Sequence, residues 1–535
     1  MIRNLLLFCL LVLSLRADEL KRPNILIAIA DDQSYPHASA YGFAGIDTPA
    51  FDRVARSGVL FSNAFTPAPG CSPMRAAFLT GRHIWQIEQA GTHASSFPTK
   101  YPVFPDLLET RGYFVGYTGK GWGPGNWKAS GRSRNPAGPL FSGKTCQPPA
   151  KGISNKDYAA NFEDFLTERP EGEPFCFWYG AHEPHRGFEA GSGKRLGKSV
   201  EDVEVPGFLP DHPEIRSDIL DYFVEIEWFD RHLGRMLDAL AARGELENTI
   251  VIVTSDNGMA FPRAKANCYE YGIHMPLAIA WPSRVKGGRT VEDLVGLIDV
   301  TATIFDATSV APSFEYPPAG KSLMNILLGE RSGRVDPTRD AVFSGRERHS
   351  SSRYNSLGYP QRCIRTRDYL YVWNLRPERW PAGTPQKYAR AIYDDEGWLA
   401  EAEYGPVDGG YHDIDACPTL DFLIDQKESP RYGKFLGLAV ARRPEFEMFD
   451  VRYDPACLKN LAGLEESRAI EGTLKRRLMK QLRATGDARV LSADGGDVWE
   501  TYPRYSALRW FPEPDWAADS PPIQQDWVET RRPRK

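Results

Sequence analysis

Asn24-Ile25-Leu26-Ile27-Ala28-Ile29-Ala30-Asp31-Asp32 decides the fold. Its six consecutive apolar residues, without polar alternation, form the pattern of a strand covered on both faces, as in a parallel sheet. The run then stops at two carboxylates. Three other segments repeat the design. Ile250-Val251-Ile252-Val253-Thr254 ends in Asp256-Asn257-Gly258, and Phe175-Cys176-Phe177-Trp178-Tyr179 ends in Ala181-His182-Glu183-Pro184-His185. Tyr113-Phe114-Val115-Gly116-Tyr117 ends in Thr118-Gly119-Lys120. In open α/β sheets ligands bind outside the carboxyl ends of the strands. A single pair such as Asp31-Asp32 is ordinarily a solvated turn or a helix cap. Four strands ending in carboxylates, an amide, imidazoles and an ammonium predict a site.

Helical spacing fills the gaps. Ile219, Leu220, Phe223, Val224, Phe229, Leu233, Met236, Leu237 and Leu240 predict a core-facing helix from Ser217, stopped by Gly244. The alternation of strand and helix from Asn24 to about Ser344 predicts a doubly wound, mostly parallel sheet, an α/β fold. After Ser344 the strands become short and aromatic, as in Tyr369-Leu370-Tyr371-Val372-Trp373, and the loops fill with Pro, Gly and Asp. The predicted division is 1–17 signal peptide, 18–345 catalytic domain, 346–498 smaller C-terminal α+β domain with an antiparallel sheet, and 499–535 an aromatic, Pro-rich tail wrapping the body. The Arg- and Lys-rich helix from Leu474 to Leu482 reads as a solvated face.

The 535 residues are 42% hydrophobic and 25% charged, ordinary for a globular protein with ample core. A net charge of −5 points to no nucleic acid, and a polyanionic substrate would need a local basic cleft. Met1-Ile2-Arg3, the apolar run Leu5 to Leu15 and Arg16-Ala17 predict a secretory signal peptide, too short to span a bilayer, and no later stretch predicts a transmembrane anchor. Of eight cysteines, Cys9 lies in that leader. Cys146, Cys176, Cys268, Cys363, Cys417 and Cys457 show no zinc spacing, and their disulfide pairing is open. The chain has no Asn-x-Ser/Thr sequon. A secreted or periplasmic bacterial enzyme fits these features.

Cys71-Ser72-Pro73-Met74-Arg75, continuing Ala76-Ala77-Phe78-Leu79-Thr80-Gly81-Arg82, predicts a helix with Ser72 as N-cap, Pro73 as first helical residue and Gly81 as stop. Its first-turn N–H groups would face the surroundings of Cys71. Arg75 opposes the helix dipole there, which predicts a bound anion beside it. Asp31, Asp32, Asp256 and Asn257 offer hard oxygen ligands only, a set for Ca²⁺ or Mg²⁺ and not zinc. Three uncompensated buried carboxylates would be costly, a further argument for a cation.

The Cys71–Arg82 stretch resembles the sulfatase signature C-x-P-x-R-x-x-x-L-T-G-R, and the chain from Arg22 to about Leu482 is similar to that family. The order Lys265, Glu270, Gly272, Pro276 matches K-x-x-x-x-E-x-G-x-x-x-P. Glu447 to Leu461 resembles a C-terminal sulfatase segment, with Cys457 where that pattern has an acid. The resemblance implies an alkaline-phosphatase-like fold and conversion of Cys71 to formylglycine by a maturation enzyme. It implies a cation, usually Ca²⁺, held by Asp31, Asp32, Asp256 and Asn257 and touching residue 71. Lys120 and Lys265 would clamp sulfate, Arg75 would hold the nucleophile region, and His182 would be the general acid. His185 and His93 would contact the substrate. Many sulfatases carry G-K-x-H after this strand; here Gly119-Lys120-Gly121-Trp122 places Trp122 at the histidine, so the base for sulfate release is open.

Ala181 to Arg186, Thr254 to Gly258, Leu297 to Thr301 and Tyr369 to Leu375 most resemble the N-sulfoglucosamine sulfohydrolase branch. Trp122, Glu270 and the Arg346–Arg353 loop depart from that branch. The implied substrate is a sulfated carbohydrate, cut by an exo-acting sulfatase or sulfamidase. A phosphodiester or phosphonate hydrolase of the wider superfamily and a non-catalytic sulfated-glycan-binding relative are the other readings.

Overall fold

The computed structural model describes residues 22–393 and 399–515. The predicted signal peptide with Cys9, and the tail beyond residue 515, lie outside the described residues. Among the described residues no helix is long and apolar enough to cross a membrane.

The main elements are β1 (Asn24–Ala30), α1 (Pro49–Ser57), β2 (Val59–Phe65), α2 (Cys71–Thr80), β3 (Phe114–Gly119), α3 (Tyr158–Glu168) and β4 (Phe175–Gly180). There follow α4 (Pro213–Ala242), β5 (Thr249–Ser255), β6 (His274–Ala280), β7 (Arg289–Val291) and α5 (Leu297–Thr308). The sheet runs β3-β4-β1-β5-β6-β2-β7, and Val295–Gly296 also pairs with β2. Only β6 is antiparallel to its neighbours β5 and β2; the other main pairings are parallel. The four strands of the opening argument are thus adjacent and parallel, as β3-β4-β1-β5.

Both faces of β1 are buried, as its unbroken apolar run demands. Ile25, Ile27 and Ile29 pack in one cluster with Met74 and Phe78 of α2 and Val300 and Ile304 of α5. Leu26, Ala28 and Ala30 pack in a second with Val54 of α1, Phe165 of α3 and Leu233 and Leu237 of α4. Each fully buried large aliphatic contributes roughly 1.5–3 kcal/mol of burial free energy, and the carboxyl edge of the sheet stands on that core.

Helix α4 begins at Pro213, four residues before the predicted Ser217. Pro213 occupies the first turn, and His212 Nδ1 accepts the Glu214 N–H at 3.3 Å. Gly244 follows it at φ +69°.

A second, antiparallel sheet holds β8 (Ala341–Arg346), β9 (Gln361–Thr366), β10 (Tyr369–Asn374) and β11 (Phe446–Asp450), in the order β11-β10-β9-β8. Helix α6 (Arg468–Ala484) covers it through Leu474, Leu478 and Leu482, which join the same core as Ile364, Tyr371 and Met448. The predicted solvated face of this helix is therefore only its other side, where Lys475, Arg476, Lys480 and Arg483 are exposed. The described part of the tail does lie along the body. Trp499 is buried, the Arg348 guanidinium donates to the Tyr502 and Pro503 carbonyls, and Tyr505 N–H donates to the Ala94 carbonyl.

Candidate active site

Cys71 opens α2, with Gly70, not Ser72, as the N-cap: Gly70 is extended, and its carbonyl accepts the Met74 N–H at 3.1 Å. Ser72 is diverted, its hydroxyl accepting the Ala94 N–H at 3.0 Å. Pro73 falls in the first turn, where no intrahelical donor is needed. Gly81 closes the helix at φ +69°.

Arg75 is fully buried and pairs with a protein carboxylate, while its Nη2 is buried without a hydrogen-bond partner. Its Nε lies 2.8 Å from Asp256 Oδ2, and one terminal nitrogen donates to the Lys120 carbonyl at 2.6 Å and the Gly121 carbonyl at 3.2 Å. Lys120 Nζ lies 2.5 Å from Asp31 Oδ2, and Lys265 Nζ lies 2.6 Å from Asp32 Oδ2. Each of the three carboxylates thus has its own buried cation. The three carboxylates are therefore compensated within the protein, since the arginine and both lysines fold in among them.

What speaks for a metal is finer. Asn257 Nδ2 donates to Asp32 Oδ1 at 2.7 Å, leaving Asn257 Oδ1 buried without a hydrogen-bond partner, and Asp31 Oδ1 is in the same condition. Two orphaned acceptors cost free energy unless a donor or cation meets them. Asp31, Asp32 and Cys71 can each aim one ligand atom within 4.8 Å of the others. The oxygen donors here, Asp31 Oδ1 and Asn257 Oδ1, suit a hard divalent cation. Asp256 Oδ1 accepts the backbone N–H groups of Asp32 and Asn257, at 3.1 and 2.9 Å, which fixes the two strand ends to each other. Asp32 itself holds φ +82°, a left-handed conformation that Asp tolerates better than most residues.

Backbone approach positions Lys120. Its N–H donates to the Gly180 carbonyl at 2.6 Å as β3 and β4 end. A Cβ on Gly119 would stand 2.1 Å from the Gly180 carbonyl oxygen, and one on Gly180 would stand 1.9 Å from that of Lys120. Only glycines let these two strands deliver Lys120 and His182 side by side.

The electrostatics follow from burial and pairing. Against the desolvation of burial, the Lys120 ammonium holds Asp31 well below the usual carboxylate range. Burial, with Asp31 adding to it, pushes Asp256 up to about 6. Burial pushes the Cys71 thiol up to about 12, so at neutral pH it is not a thiolate and not a ready nucleophile. His182 opens to solvent at the cleft, yet desolvation by the cleft walls and then Lys120 lower it to about 4. Its backbone N–H donates to Tyr158 Oη, which in turn donates to Glu183 Oε2 at 2.9 Å. His185, half-exposed, sits 3.9 Å from Asp32 Oδ2.

His93 is deeper than the sequence implied: its Nε2 lies 3.8 Å from Cys71 Sγ. Burial first and His349 next push this ring well below its ordinary value, so it is neutral. The structure therefore gathers Asp31, Asp32, Cys71, Arg75, His93, Lys120, His182, His185, Asp256, Asn257 and Lys265 at one edge of the sheet. It adds two residues that sequence reasoning missed. Asp415 pairs with Lys265 at 2.9 Å and groups with Asp32 and His185, and the His349 ring lies tilted against that of His93, centroids 4.6 Å apart. Both come from loops with no motif spacing, so no sequence signal marked them.

Among the described residues all seven cysteines are free thiols. Trp122 is buried and donates through Nε1 to the Ser72 carbonyl at 3.1 Å.

Residues 23–310 match the sulfatase family profile. The chain belongs to the sulfatase family. It is 28% identical to human N-sulphoglucosamine sulphohydrolase over 523 residues, covering 91% of this chain and 95% of that protein. Its fold is shared with a protein solved in complex with its substrate D-glucosamine-2-N,6-O-disulfate, at TM-score 0.58 and 20% identity, covering 87% of this chain and 99% of the other. The phosphonate monoester hydrolase of Agrobacterium radiobacter is also similar in fold, at TM-score 0.60 and 18% identity over 87% of this chain and 97% of that one.

Proposed function

We propose that this protein hydrolyses sulfate esters or sulfamates of sulfated carbohydrates, through a formylglycine at position 71 and a divalent cation, Ca²⁺ before Mg²⁺. The carrying observation is the placement of Cys71 at the start of α2, within reach of Asp31 and Asp32 and in the field of Lys120 and Lys265. The buried thiol, held at about 12, is a poor nucleophile as it stands, which supports its conversion by a maturation enzyme. Cys71-Ser72-Pro73-Met74-Arg75 supplies the complete C-x-P-x-R element for that conversion. When present, the formylglycine hydrate supplies the hydroxyl that attacks sulfur, and the cation polarises sulfate oxygens.

The chain's own groups do the rest. Lys120 and Lys265 exchange part of their pairing with Asp31 and Asp32 for sulfate oxygens, stabilising charge that grows as the S–O or S–N bond breaks. Arg75 keeps Asp256 and the Lys120 loop in register. His182 is neutral beside Lys120; the negative charge of a bound sulfate restores its affinity for a proton, which it passes to the leaving oxygen or nitrogen. His185 and Asp415, at the open side, meet the sugar.

Kinship with the human sulphohydrolase supports an N-sulfated glucosamine as first substrate, with O-sulfated sugars second; exo action on a terminal sugar completes the proposal. The leader composition supports a secreted or periplasmic location. A phosphonate or phosphodiester hydrolase is the second reading, favoured by the likeness to the phosphonate monoester hydrolase. Turnover of defined sulfated saccharides, compared with an aryl phosphodiester, separates the two. Preference for the phosphodiester by orders of magnitude would overturn the sulfatase reading.

A further inference from the structure

Trp122 occupies the place of the histidine that many sulfatases carry after the lysine, and it has no means of replacing it. Its indole N–H is a donor only, already given to the Ser72 carbonyl, and its ring packs edge-on to Phe97 at 5.3 Å. Sulfate release therefore needs another proton acceptor beside residue 71.

His93 stands there. Its Nε2 approaches Cys71 Sγ to 3.8 Å, while its Nδ1 is buried without a hydrogen-bond partner. The loop that carries it is pinned on several sides. The His93 N–H and Thr92 Oγ1 both donate to the Arg348 carbonyl at 3.1 Å, and the Ala94 N–H donates to Ser72 Oγ, next to Cys71. The tail holds the loop from outside, Tyr505 N–H donating to the Ala94 carbonyl at 2.6 Å. Ala94 is kept at φ +57°, a left-handed conformation that persists for a residue with a Cβ only when its surroundings over-determine it. The His349 ring lies tilted against it, centroids 4.6 Å apart, and the His349 Nδ1 would lie 3.1 Å from a Cβ built on Gly70. A histidine kept only for packing would not need its second nitrogen aimed at position 71, nor a strained loop to aim it.

We infer that His93 is the proton acceptor for sulfate release at residue 71, in place of the histidine that Trp122 has displaced. The inference rests on the formylglycine reading above. In this step the O–H bond of the free hydroxyl on the residue-71 carbon breaks and its proton passes to the lone pair of His93 Nε2. The electron pair of that bond becomes the second bond of the regenerated carbonyl. The bond from carbon to the sulfated oxygen breaks, and its pair leaves with sulfate. No water attacks sulfur, and no oxidant or reductant takes part.

The test uses the full-length protein made by its own host, with His93→Ala and His93→Gln as variants. Aldehyde content at position 71 is first measured by mass spectrometry, so that rates are compared per mature site. A rapid-quench reaction with an aryl sulfate then reads phenol release, sulfate release and the mass of the residue-71 peptide. The expected result is a first turnover of phenol within about threefold of wild type and a steady-state rate lowered about 100-fold or more. The residue-71 peptide should then carry an added sulfo group, and free imidazole in the buffer should restore part of the rate for His93→Ala. Raised KM with unchanged kcat and no sulfo-peptide in either variant would overturn the assignment and make His93 a sugar contact. Wild-type protein that cleaved the phosphodiester and no sulfate compound would instead overturn the sulfatase reading beneath it.

Discussion

Arg75 Nε and Asp256 Oδ2 meet at 2.8 Å with both side chains fully buried, so the end of β5 is tied to the N-terminal half of α2 by a charge pair inside the protein. That pair fixes the Asp31–Asp32–Asp256 edge and Cys71 as one unit. Removing either partner leaves a buried charge unmatched.

Arg75→Ala should therefore cost roughly 3–5 kcal/mol of stability. Arg75→Lys keeps the charge but not the fork that also reaches the Lys120 and Gly121 carbonyls, and should lose less stability while still losing most activity. Chemical denaturation beside turnover checks this. Wild-type stability in Arg75→Ala would show that the pair contributes nothing.

Chelation should lower both activity and thermal stability, because Asn257 Oδ1 and Asp31 Oδ1 would again lack a partner. Ca²⁺ should restore both better than Mg²⁺. Asp256→Ala should lose bound metal, measured by elemental analysis, and Arg75 its partner. Normal turnover by metal-free protein would remove the cation from the account.

His182→Ala should slow substrates with poor leaving groups, such as sugar alcohols and amines, at least about 100-fold more than an activated aryl sulfate, since only the former need a proton. The check is a comparison of kcat/KM across leaving groups. Equal losses on both classes would take the acid role away from His182.

Acid should unfold the junction of the two sheets. Glu270 pairs with Arg365 of β9, and against the desolvation of burial Arg365 and His274 hold it down to about 2, from 4.5. A depressed folded value means the stabilisation is complete above about pH 4.5 and is lost as pH falls toward 2. Glu270→Gln should thus be less stable at pH 7 and show a flatter stability curve between pH 4.5 and 2. Parallel curves for variant and wild type would contradict this.

The sheet was legible in the sequence because a strand buried on both faces must be an unbroken apolar run, as Ile25–Ala30 is, and because four such runs ended in polar groups. The pairing inside the site was not. Sequence spacing cannot show that Asp256, 181 positions away, folds against Arg75. The N-cap was misread for a local reason: Ser72 is a good capping residue, but Ala94 takes its hydroxyl, leaving Gly70 to cap. Asp415 and His349 lay in loops whose place depends on the second sheet and the tail, which no periodicity encodes.

The central claim is that position 71 carries an aldehyde made from a buried cysteine. Mass spectrometry of the peptide spanning residues 71–75, from active protein made by its own host, tests it most directly. The account predicts formylglycine at position 71, in proportion to the specific activity toward sulfated saccharides. An intact Cys71 thiol throughout a fully active preparation would contradict it.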